Sequence, residues 1–577
     1  MNLQGLFISP IPLINSVKNE LGNLLIWTVI LIPVVVYLGY GYHYSGPIFW
    51  GDDYDLLETI TLSPEAESLG EKWHLWTKQQ NEHRVVFPRL ITYLNYLLEG
   101  FINWKTLILT ANLIWVFILY FFWRAFQEQK LPSWMFIPIP WLLFQPQYYE
   151  NIIWATSILQ QSNVVFWLSF TVFLYAKGYY KAALVPAVVA TFSHGSGLCS
   201  FLVVLFLIFL EKRWKLLPYW IIATLIFYVL YFFKLEKGQS ANFSESLSNL
   251  TQLVFSFFAF SGSLTRVVLN NPLWAALLGV LMFAIITYTL IPTIWKALSV
   301  NKPKIRPLTL ILIGNIAFFV ISAALVSVSR SWAGLEAIMP PRYQHYTVFL
   351  ASWTYLMILD YTSKSILLKR LALGFIFLAM LFNGISYVVY TPTVSYRKNY
   401  LIADETNYLN HGKFLQYHWT FNRNIEHTYQ KALEKGIVRM TKQLEGIVSD
   451  DAPTSDWVDL RFRVSTNTSP NELNPTDEFL WVEADLKDKK NVFLYFSPVE
   501  GQGYWLPLSG SRAAFKDLIF KAKTRGSNYT AQLDYANLPS GYYRVGILMD
   551  DEFTWTNNTI HVKPDRLIEN SSTKTVL

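Results

Sequence analysis

Uncharged apolar segments of membrane-crossing length recur along the first 390 residues, and they restrict the fold more than any other feature. Residues 24–42, LLIWTVILIPVVVYLGYGY, carry no charge and fall within the roughly 17–25 residues that a helix needs to cross a hydrocarbon core. Over the whole chain 53% of residues are hydrophobic and 15% are charged, whereas soluble proteins carry charge on about a quarter of their residues. The sequence therefore predicts a polytopic α-helical membrane protein.

Eleven apolar segments are predicted to span the membrane. They are 24–42, 104–123, 131–147, 153–176, 182–193, 196–210, 216–233, 273–295, 308–328, 346–360 and 371–390. Two of them, 182–193 and 196–210, are short and flank the sequence SHGSG, so one broken span over both is an alternative. The N-terminus has no basic cluster and no small-residue cleavage site, so the first span is predicted to be an uncleaved anchor.

The distribution of basic residues predicts a cytoplasmic N-terminus. With that orientation the inside segments hold fifteen Lys and Arg residues and the opposite short loops hold five, as the positive-inside rule requires. The inside residues are Lys18, Arg124, Lys130, Lys177, Lys181, Lys212, Arg213, Lys215, Lys296, Lys302, Lys304, Arg306, Lys364, Lys369 and Arg370, and the outside ones are Lys234, Lys237, Arg266, Arg330 and Arg342. The inside loops account for the net charge of +7, so no nucleic-acid partner is predicted.

The cysteine content bears on the compartment. Cys199 is the single cysteine of the chain, so an internal disulfide is impossible. A eukaryotic secretory protein with large exterior domains would more often carry disulfides. The sequence therefore favours a bacterial inner membrane, with residues 43–103 and everything after residue 390 outside.

The C-terminal part changes character near residue 391. Residues 391–454 are predicted to be a linker with an amphipathic helix over 421–448. Residues 455–565 alternate with period two, which predicts six or more short strands in an extracytoplasmic β-sandwich. The six clearest segments are WVDLRFRV, FLWVEADL, NVFLYFSPV, YTAQLDYANL, YYRVGILMD and NTIHVK. The tail, 566–577, is predicted to be disordered.

The segment 43–103 is too long to be a simple connection between two spans. It has 61 residues, with nine acidic and four basic ones. It opens with FWGDDYDLL, where Asp52 and Asp53 are adjacent, and continues with EKWHLWTKQQNEHRVVFPRLITYLNYLLEG. The aromatic and apolar residues of that second stretch suit a helix at the membrane interface. We therefore predict a structured amphipathic loop that carries functional acids.

This layout resembles the glycosyltransferase-C superfamily, and within it the bacterial protein-mannosyltransferase and aminoarabinose-transferase type. The resemblance covers roughly residues 20–390 and is carried by GDDYD (51–55), with NEHRVVFPR (81–89) and PPRYQHY (340–346) in support. It implies transfer of a sugar from a polyprenyl-phosphate donor to a lipid, a cell-envelope glycan or a protein outside the membrane. The β-rich tail is not diagnostic of any member.

The resemblance implies that Asp53 or Asp52 is the general base, with Asp53 placed first. A carboxylate within hydrogen-bond reach can take the proton of an acceptor hydroxyl as the anomeric bond breaks. Two adjacent carboxylates repel, which raises the proton affinity of one of them. The alternative is that both are ordinary solvated acids at a membrane exit.

An anionic lipid phosphate as leaving group calls for cations near the outer interface. Arginine binds phosphate through a planar fork and stays protonated. The candidates for donor phosphate binding are Arg84, Arg89, Arg330 and Arg342, with Tyr343 beside the last. The alternative is that these arginines extend to lipid headgroups as ordinary interfacial anchors.

Four further residues are candidates for substrate binding: His83, Glu150, His194 and His345. Ionisable residues at membrane depth are costly and are functional candidates for that reason. Glu150 would bind a sugar hydroxyl or cap a helix. His194 would contact ligand or make a plain hydrogen bond within the protein.

Asp52, Asp53 and Asp55 offer oxygen ligands of the kind that divalent cations prefer. No dense set of His and acidic residues surrounds them, and the branch of the superfamily that the chain resembles uses no metal, so we predict no metal and no cofactor. A phosphate-binding loop of the nucleotide type is also missing from the inside loops. The competing functions are a transporter or flippase of lipid-linked glycans and a non-catalytic membrane scaffold.

Overall fold

The computed structural model describes residues 12–236, 242–300, 304–362, 366–415, 419–455, 457–467, 477–486, 489, 491–512, 525–534, 537–562 and 568–570. The described chain is mostly helical up to residue 434 and rich in strands from residue 454 onward. The first half of the helical part contains α1 (Pro12–Tyr44), α2 (Asp53–Leu62), α3 (Leu69–Thr77), α4 (Val86–Glu99), α5 (Trp104–Val116), α6 (Ile118–Gln127), α7 (Pro138–Leu143), α8 (Glu150–Ile153), α9 (Ala155–Ser157) and α10 (Asn163–Ala176).

The second half continues the helical pattern. It contains α11 (Leu184–Thr191), α12 (Cys199–Glu211), α13 (Leu217–Phe232), α14 (Phe243–Ser248), α15 (Leu250–Ser261), α16 (Pro272–Ser299), α17 (Pro307–Arg330), α18 (Leu335–Ile338), α19 (His345–Tyr361), α20 (Ile366–His411) and α21 (Trp419–Glu434). A π-helical turn, Ile158–Ser162, joins α9 to α10. This turn forms part of the candidate functional site.

Seven helical stretches of the described chain are long and apolar enough to cross a membrane. They are Gly22–Tyr44, Trp104–Gln127, Ala155–Ala176, Trp214–Phe232, Pro272–Ser299, Pro307–Ala333 and Ile366–His411. Each coincides with one of the eleven predicted spans. The four other predicted spans correspond to the shorter helices α7, α11, α12 and α19. The helical membrane class is therefore supported, and the count of eleven stays a prediction.

One apolar core, rich in aromatic side chains, joins the helices of the first 394 residues. Phe122 stacks on Trp353 with ring centroids 4.0 Å apart, which ties α6 to α19. Polar contacts also cross between helices: Ser169 of α10 donates a hydrogen bond to Asn315 of α17 at 2.7 Å. Such a bond is worth about 0.6 kcal/mol between membrane helices, so apolar packing supplies most of the cohesion.

The segment 43–103 is structured, as predicted. It forms α2, α3, a two-strand hairpin of β1 (Gln79–Gln80) and β2 (His83–Arg84), and α4. Helix α4 buries Pro88, Arg89, Thr92 and Asn95 and exposes Leu90, Leu94, Leu97 and Leu98. Polar residues inside and leucines outside reverse the arrangement of a water-soluble helix. The exposed leucine face of α4 agrees with the prediction of a helix at the membrane interface.

Helix α20 does not end at the predicted boundary at residue 390. It runs for 46 residues without interruption from Ile366 to His411, so the change in composition near 391 marks a new environment and not a new element. The predicted helix over 421–448 is shorter than expected. Helix α21 ends at Glu434, and Gly436 has the left-handed φ of +67° that commonly follows a helix C-terminus.

The strand-rich part begins at residue 454. Its strands are β3 (Thr454–Ser455), β4 (Leu460–Asn467), β5 (Asp477–Asp485), β6 (Val492–Pro498), β7 (Tyr504–Pro507), β8 (Ser509–Arg512), β9 (Arg525–Asp534), β10 (Gly541–Met549), β11 (Glu552–Val562) and β12 (Ile568–Asn570). One sheet has the order β12-β11-β10-β6-β7 with β3 beside β11, and the other has the order β4-β5-β9-β8. Buried residues from both sheets form a single apolar core.

All six predicted strand segments contain strands, namely β4, β5, β6, β9, β10 and β11. Period-two alternation identified them because one face of each is buried in the shared core. The tail differs from its prediction, since β12 pairs with β11 through Ile560 and Asn570. Residues 571–577 lie outside the described residues. The assignment of this part as a β-sandwich domain stays a prediction.

Candidate functional site

A cavity of about 580 Å³ lies where the segment 43–103 meets the helical bundle, and we name it the Asp52 cavity. Its walls come from the start of α2, the β1–β2 hairpin, the π-helical turn, the end of α17 and the turn before α19. The lining residues are Asp52, Gln79, Asn81, Glu82, His83, Trp154, Thr156, Ser157, Gln160, Gln161, Glu236, Arg330, Arg342 and Tyr343. Five predicted site residues, from distant parts of the sequence, therefore share one cavity.

The two adjacent aspartates point in different directions. Gly51 has a left-handed φ of +50°, and Asp52 follows as the residue that caps α2, with φ −62° and ψ −11°. Asp53 is already the first residue of the helix. Successive side chains of a helix diverge by about 100° around its axis. The chain therefore cannot direct both carboxylates into one cleft, and only Asp52 lines the cavity.

Asp52 is the cavity carboxylate. Its Oδ1 lies 3.4 Å from Nδ2 of Asn81, and its backbone carbonyl accepts a hydrogen bond from Gln80 at 2.9 Å. Burial raises the pKa of Asp52, while the Asn81 contact and the positive charge of Arg342 lower it, and burial outweighs both. A carboxylate with raised proton affinity is better suited to accept a proton from a hydroxyl than an ordinary surface aspartate.

Asp53 is 2% exposed and is fully engaged inside the protein. Its Oδ1 accepts hydrogen bonds from the backbone N–H and the hydroxyl of Thr156, at 2.7 and 2.6 Å. Its Oδ2 accepts from the backbone N–H of Trp50 at 3.2 Å. Burial raises the pKa of Asp53 to about 7 against these donors, which lower it. Both oxygens of Asp53 accept hydrogen bonds from protein groups and the side chain does not line the cavity, so its role as general base stays a prediction.

Two arginines face the same space as Asp52. Arg342 and Arg330 stand over the ring of Tyr343, 5.4 and 5.9 Å from its centroid. Arg330 lies 3.9 Å from the carboxylate of Glu82, which also lines the cavity. The lining therefore contains two guanidinium groups and three carboxylates, those of Asp52, Glu82 and Glu236.

Glu150 does not line the cavity, but it forms ion pairs with Arg342, which does, and with Arg397, which does not. One oxygen accepts from Nη1 and from the backbone N–H of Arg342, at 3.2 and 3.3 Å, and the other accepts from Arg397 at 3.2 Å. The guanidinium of Arg397 stacks 4.4 Å above the ring of Trp50. Glu150 therefore holds two arginines, and its contact with the backbone N–H of Arg342 caps the 3-10 turn Pro341–Tyr343, one of its two predicted roles. Contact with a sugar stays a prediction.

The predicted histidines occupy different positions. His83 lines the cavity, and burial lowers its pKa to about 4, so its imidazole is neutral near pH 7. The ring of His194 lies 3.9 Å from that of His83, and its Nε2 lies 3.0 Å from Nε2 of Gln161. His345 is fully buried, and its Nδ1 donates to the carbonyl of Arg342 at 2.8 Å. Only His83 is placed to contact a ligand directly.

The cavity wall contains buried polar atoms that have no hydrogen-bond partner within the described part of the chain. They are Nδ1 of His83, Nε1 of Trp154 and Oε1 of Gln161. Buried polar atoms are almost always paired in folded proteins, so such groups in a cavity indicate a ligand or water. Gln161 also belongs to the π-helical turn, a feature that is frequent at functional sites.

Arg84 and Arg89 do not line the Asp52 cavity, and their role as phosphate ligands stays a prediction. Arg84 donates to the backbone carbonyls of Thr77, Tyr231 and Phe233, which fixes the hairpin to the end of α13. Arg89 is fully buried and pairs with Asp55 through both of its carboxylate oxygens, with a shortest distance of 2.8 Å. The five bonds of Arg89 engage its whole guanidinium, and three of the five donors of Arg84 are engaged.

That ion pair also removes Asp55 from any metal site with Asp52 and Asp53. Asp55 contacts Arg89 and Lys78, Asp53 contacts Thr156, and Asp52 faces the cavity. In the ranges that the structure describes, no group of three or more His, Cys, Asp or Glu side chains is placed to hold a metal ion.

Sequence reasoning missed several residues of this region. Three of them line the cavity, namely Glu82, Gln160 and Gln161. The fourth, Arg397, pairs with Glu150, which also holds Arg342. A signal for two of them was present: the segment ATSILQQSN places consecutive polar residues inside a predicted span, where polar side chains are expensive. Arg397 had no comparable signal, because its partner Glu150 is 247 residues away.

Comparison of the chain with protein-family models, curated proteins and solved structures finds no match.

Proposed function

We propose that this chain is an integral membrane glycosyltransferase that uses a polyprenyl-phosphate-linked sugar. The observation that carries the proposal is the presence of Asp52 and Arg342 in one cavity, a candidate base together with a candidate phosphate ligand. The cavity volume of about 580 Å³ is within the range of small-molecule sites. It accommodates a sugar phosphate and the hydroxyl that attacks it.

In the proposed reaction an acceptor hydroxyl attacks the anomeric carbon of the donor. A new glycosidic C–O bond forms, the bond between the anomeric carbon and the phosphate oxygen breaks, and the hydroxyl proton passes to Oδ1 or Oδ2 of Asp52. The electron pair of the broken bond leaves on the phosphate. The raised pKa of Asp52 strengthens it as a proton acceptor, although the group must be ionised when the acceptor binds.

The leaving phosphate gains negative charge, and Arg342 and Arg330 stabilise it electrostatically. The pair to Glu150 holds Arg342 in place before substrate arrives, so little reorganisation is needed during the reaction. The unpaired atoms of His83, Trp154 and Gln161 are available to hydroxyl groups of the sugar. All of these groups belong to the chain, and the proposed reaction includes no step at a metal.

The proposal includes a bacterial inner membrane, a cytoplasmic N-terminus, eleven spans and an extracytoplasmic β-sandwich domain. The excess of Lys and Arg in the proposed inside loops supports the orientation. The seven long apolar helices support the membrane location. The acceptor is then a lipid, a cell-envelope glycan or a protein at the outer face.

The test is purified full-length protein incubated with polyprenyl-phosphate sugars and an envelope extract as acceptor, with products followed by mass spectrometry. We expect a glycosylated acceptor and released polyprenyl phosphate, and we expect neither with the Asp52→Asn variant. An assay in reconstituted vesicles distinguishes a glycosyltransferase from a flippase. Movement of intact donor across the bilayer without any new glycosidic product would contradict the proposal and favour transport.

A further inference from the structure

A second cavity, of about 710 Å³, lies between the helical part and the strand-rich part, and we name it the Lys398 cavity. Its lining residues are His43, Tyr44, Tyr387, Val388, Thr391, Pro392, Ser395, Lys398, Asn399, Ile402, Gln443, Leu444, Ile447, Asn491, Phe493, Leu548 and Asp551. It shares no lining residue with the Asp52 cavity. It is therefore a separate site.

Helix α20 contributes side chains to the Lys398 cavity and none to the lining of the Asp52 cavity. Arg397 points away from the Lys398 cavity, pairs with Glu150 and stacks on Trp50. The next residue, Lys398, lines the Lys398 cavity. Adjacent helical residues point about 100° apart, which accounts for the separation. The residues of α20 in the Lys398 cavity, from Tyr387 to Ile402, form one stripe along the helix.

This stripe changes from apolar to polar along its length. Tyr387, Val388 and Pro392 lie at one end, within the apolar half of α20, and Lys398 and Asn399 lie near the other end. The distance along the helix axis from residue 387 to residue 399 is about 18 Å. A ligand that fills the cavity must therefore be amphipathic, with an apolar part of at least several carbons and a polar head.

The polar end holds one lysine, one histidine and one acidic side chain. Among the described residues Lys398 forms no ion pair within 4 Å, and its ammonium stands 5.9 Å from the ring of Tyr44. Asp551 is the one acidic side chain among the lining residues. An ammonium group in a cavity that also has an apolar end favours a ligand with an anionic head.

The cavity also lies at the level where an apolar helix ends. The spanning stretch of α1 finishes at Tyr44, and tyrosines are typical of the boundary between lipid and water. The buried hydroxyl of Tyr387 has no partner in the described ranges and so can meet a ligand. A membrane lipid is the amphiphile that is present at this level in the highest concentration.

We infer that the Lys398 cavity binds the phosphate headgroup of an anionic lipid. The phosphate lies against Lys398 and His43, and the first part of an acyl chain lies along Val388 and Pro392. This inference does not rest on the proposed glycosyl transfer, because the two cavities have different walls. An anionic lipid then occupies the junction between the membrane helices and the strand-rich part.

The test is native mass spectrometry of the full-length protein in detergent, with phosphatidylglycerol, phosphatidylcholine or inorganic phosphate added. We expect one retained phosphatidylglycerol and little phosphatidylcholine. Lys398→Gln should lower phosphatidylglycerol occupancy about tenfold or more, because one charge-assisted hydrogen bond is lost. Lys398→Arg should retain binding, which shows that the loss in the glutamine variant is a loss of charge. Arg342→Gln is the matched control in the other cavity and should retain binding as well.

Three outcomes would overturn the inference. Equal retention by Lys398→Gln and wild type would remove Lys398 from the site. Equal loss in Arg342→Gln would place the lipid in the Asp52 cavity. Inorganic phosphate that competes as strongly as phosphatidylglycerol would show an anion site without a lipid component. The Val388→Trp variant adds a check without a charge change, since it fills the apolar end and should also reduce retention.

Discussion

Asp53 accepts two hydrogen bonds from Thr156, one from its backbone N–H at 2.7 Å and one from its hydroxyl at 2.6 Å. The two residues are 103 positions apart, so this contact fixes the start of α2 against the helix that carries the π-helical turn. Those two elements provide Asp52 and Gln161 to the same cavity. A positioning role for Asp53 and a catalytic role for Asp52 predict different effects of substitution.

Asp53→Asn should make the apparent melting temperature depend on pH differently from that of the wild type. The folded pKa of about 7 lies above the unfolded value of 3.8, so the folded state binds the extra proton between these values. The contribution of Asp53 to wild-type stability is then greatest at low pH and falls as pH rises from about 4 to about 7. Asparagine does not titrate, and it sets an amide donor near the Trp50 N–H, which costs about 1–3 kcal/mol.

The measurement is the melting temperature of both proteins in detergent across that pH range. The advantage of the wild type over Asp53→Asn should be largest at the acidic end and should shrink as pH rises. An advantage that grows with pH would mean that the three donors keep Asp53 ionised in the fold. Thr156→Val, which removes the hydroxyl donor alone, is the matched control on the partner side.

Asp52→Asn should abolish most turnover and leave folding nearly unchanged. A general base contributes about 10²–10⁴-fold to rate, and the amide keeps the size of the side chain but cannot accept the proton. In the wild type, rate should rise with pH through the raised pKa of Asp52, at a higher pH than for an ordinary aspartate. Steady-state kinetics and melting curves of the two proteins measure this, and wild-type turnover by the variant would exclude Asp52 as base.

Arg342→Ala should weaken use of the donor by about ten- to a hundredfold, since one charge-assisted contact to phosphate is worth about 1.5–3 kcal/mol. Arg342→Lys should restore only part of the rate, because an ammonium cannot reproduce the planar fork. Arg266→Ala is the matched control: Arg266 pairs with Glu336 at 2.9 Å and does not line the cavity. Equal kinetics for the Arg342 and Arg266 variants would count against a phosphate role.

Arg89→Ala should destabilise the protein strongly, in contrast to Arg342→Ala. It leaves the Asp55 carboxylate without its buried partner, and loss of one side of a buried ion pair costs about 3–5 kcal/mol. We expect a lower melting temperature and poor yield, with normal turnover per folded molecule. A variant that melts like the wild type and fails only in catalysis would favour Arg89 as a phosphate ligand.

Single cysteines at exposed positions test the proposed orientation. Leu69, Val499 and Tyr179 are 85%, 83% and 63% exposed, while the native Cys199 is buried and gives a low background. In spheroplasts an impermeant thiol reagent should label Leu69→Cys and Val499→Cys, but Tyr179→Cys only after lysis. Labelling of Tyr179→Cys in intact spheroplasts would reverse the proposed orientation.

The length of the uncharged apolar segments was sufficient to identify the long apolar helices, and period-two alternation identified the six main strands, each of which buries one face in a shared core. These patterns were less informative where an element ends. Helix α20 passes residue 390 because its polar continuation finds partners in the strand-rich part, for example between Asn407 and the backbone of Trp505 at 2.8 Å. No local pattern predicts such distant partners.

The candidate site was likewise only partly predictable from the sequence. Residue types indicated which side chains were able to bind phosphate, but four arginines with the same chemistry have different partners in the fold. Arg89 is neutralised by Asp55, whereas Arg342 is held at the cavity by Glu150. Asp52 and Asp53 differ only in which of them begins α2. These choices depend on tertiary contacts and on one helix boundary, which a single sequence does not determine.

Because α20 is continuous, a small bend at one point displaces its far end by a larger distance. A straight helix of 46 residues is about 70 Å long. Pro392 lies inside it and cannot donate a backbone hydrogen bond, so bending is easiest there. A bend of about 5° at Pro392 would move the far end of the helix by about 2.5 Å. Lys398 lies just beyond this point and lines the Lys398 cavity, and its neighbour Arg397 pairs with Glu150, so any such bend displaces that cavity wall and this ion pair together.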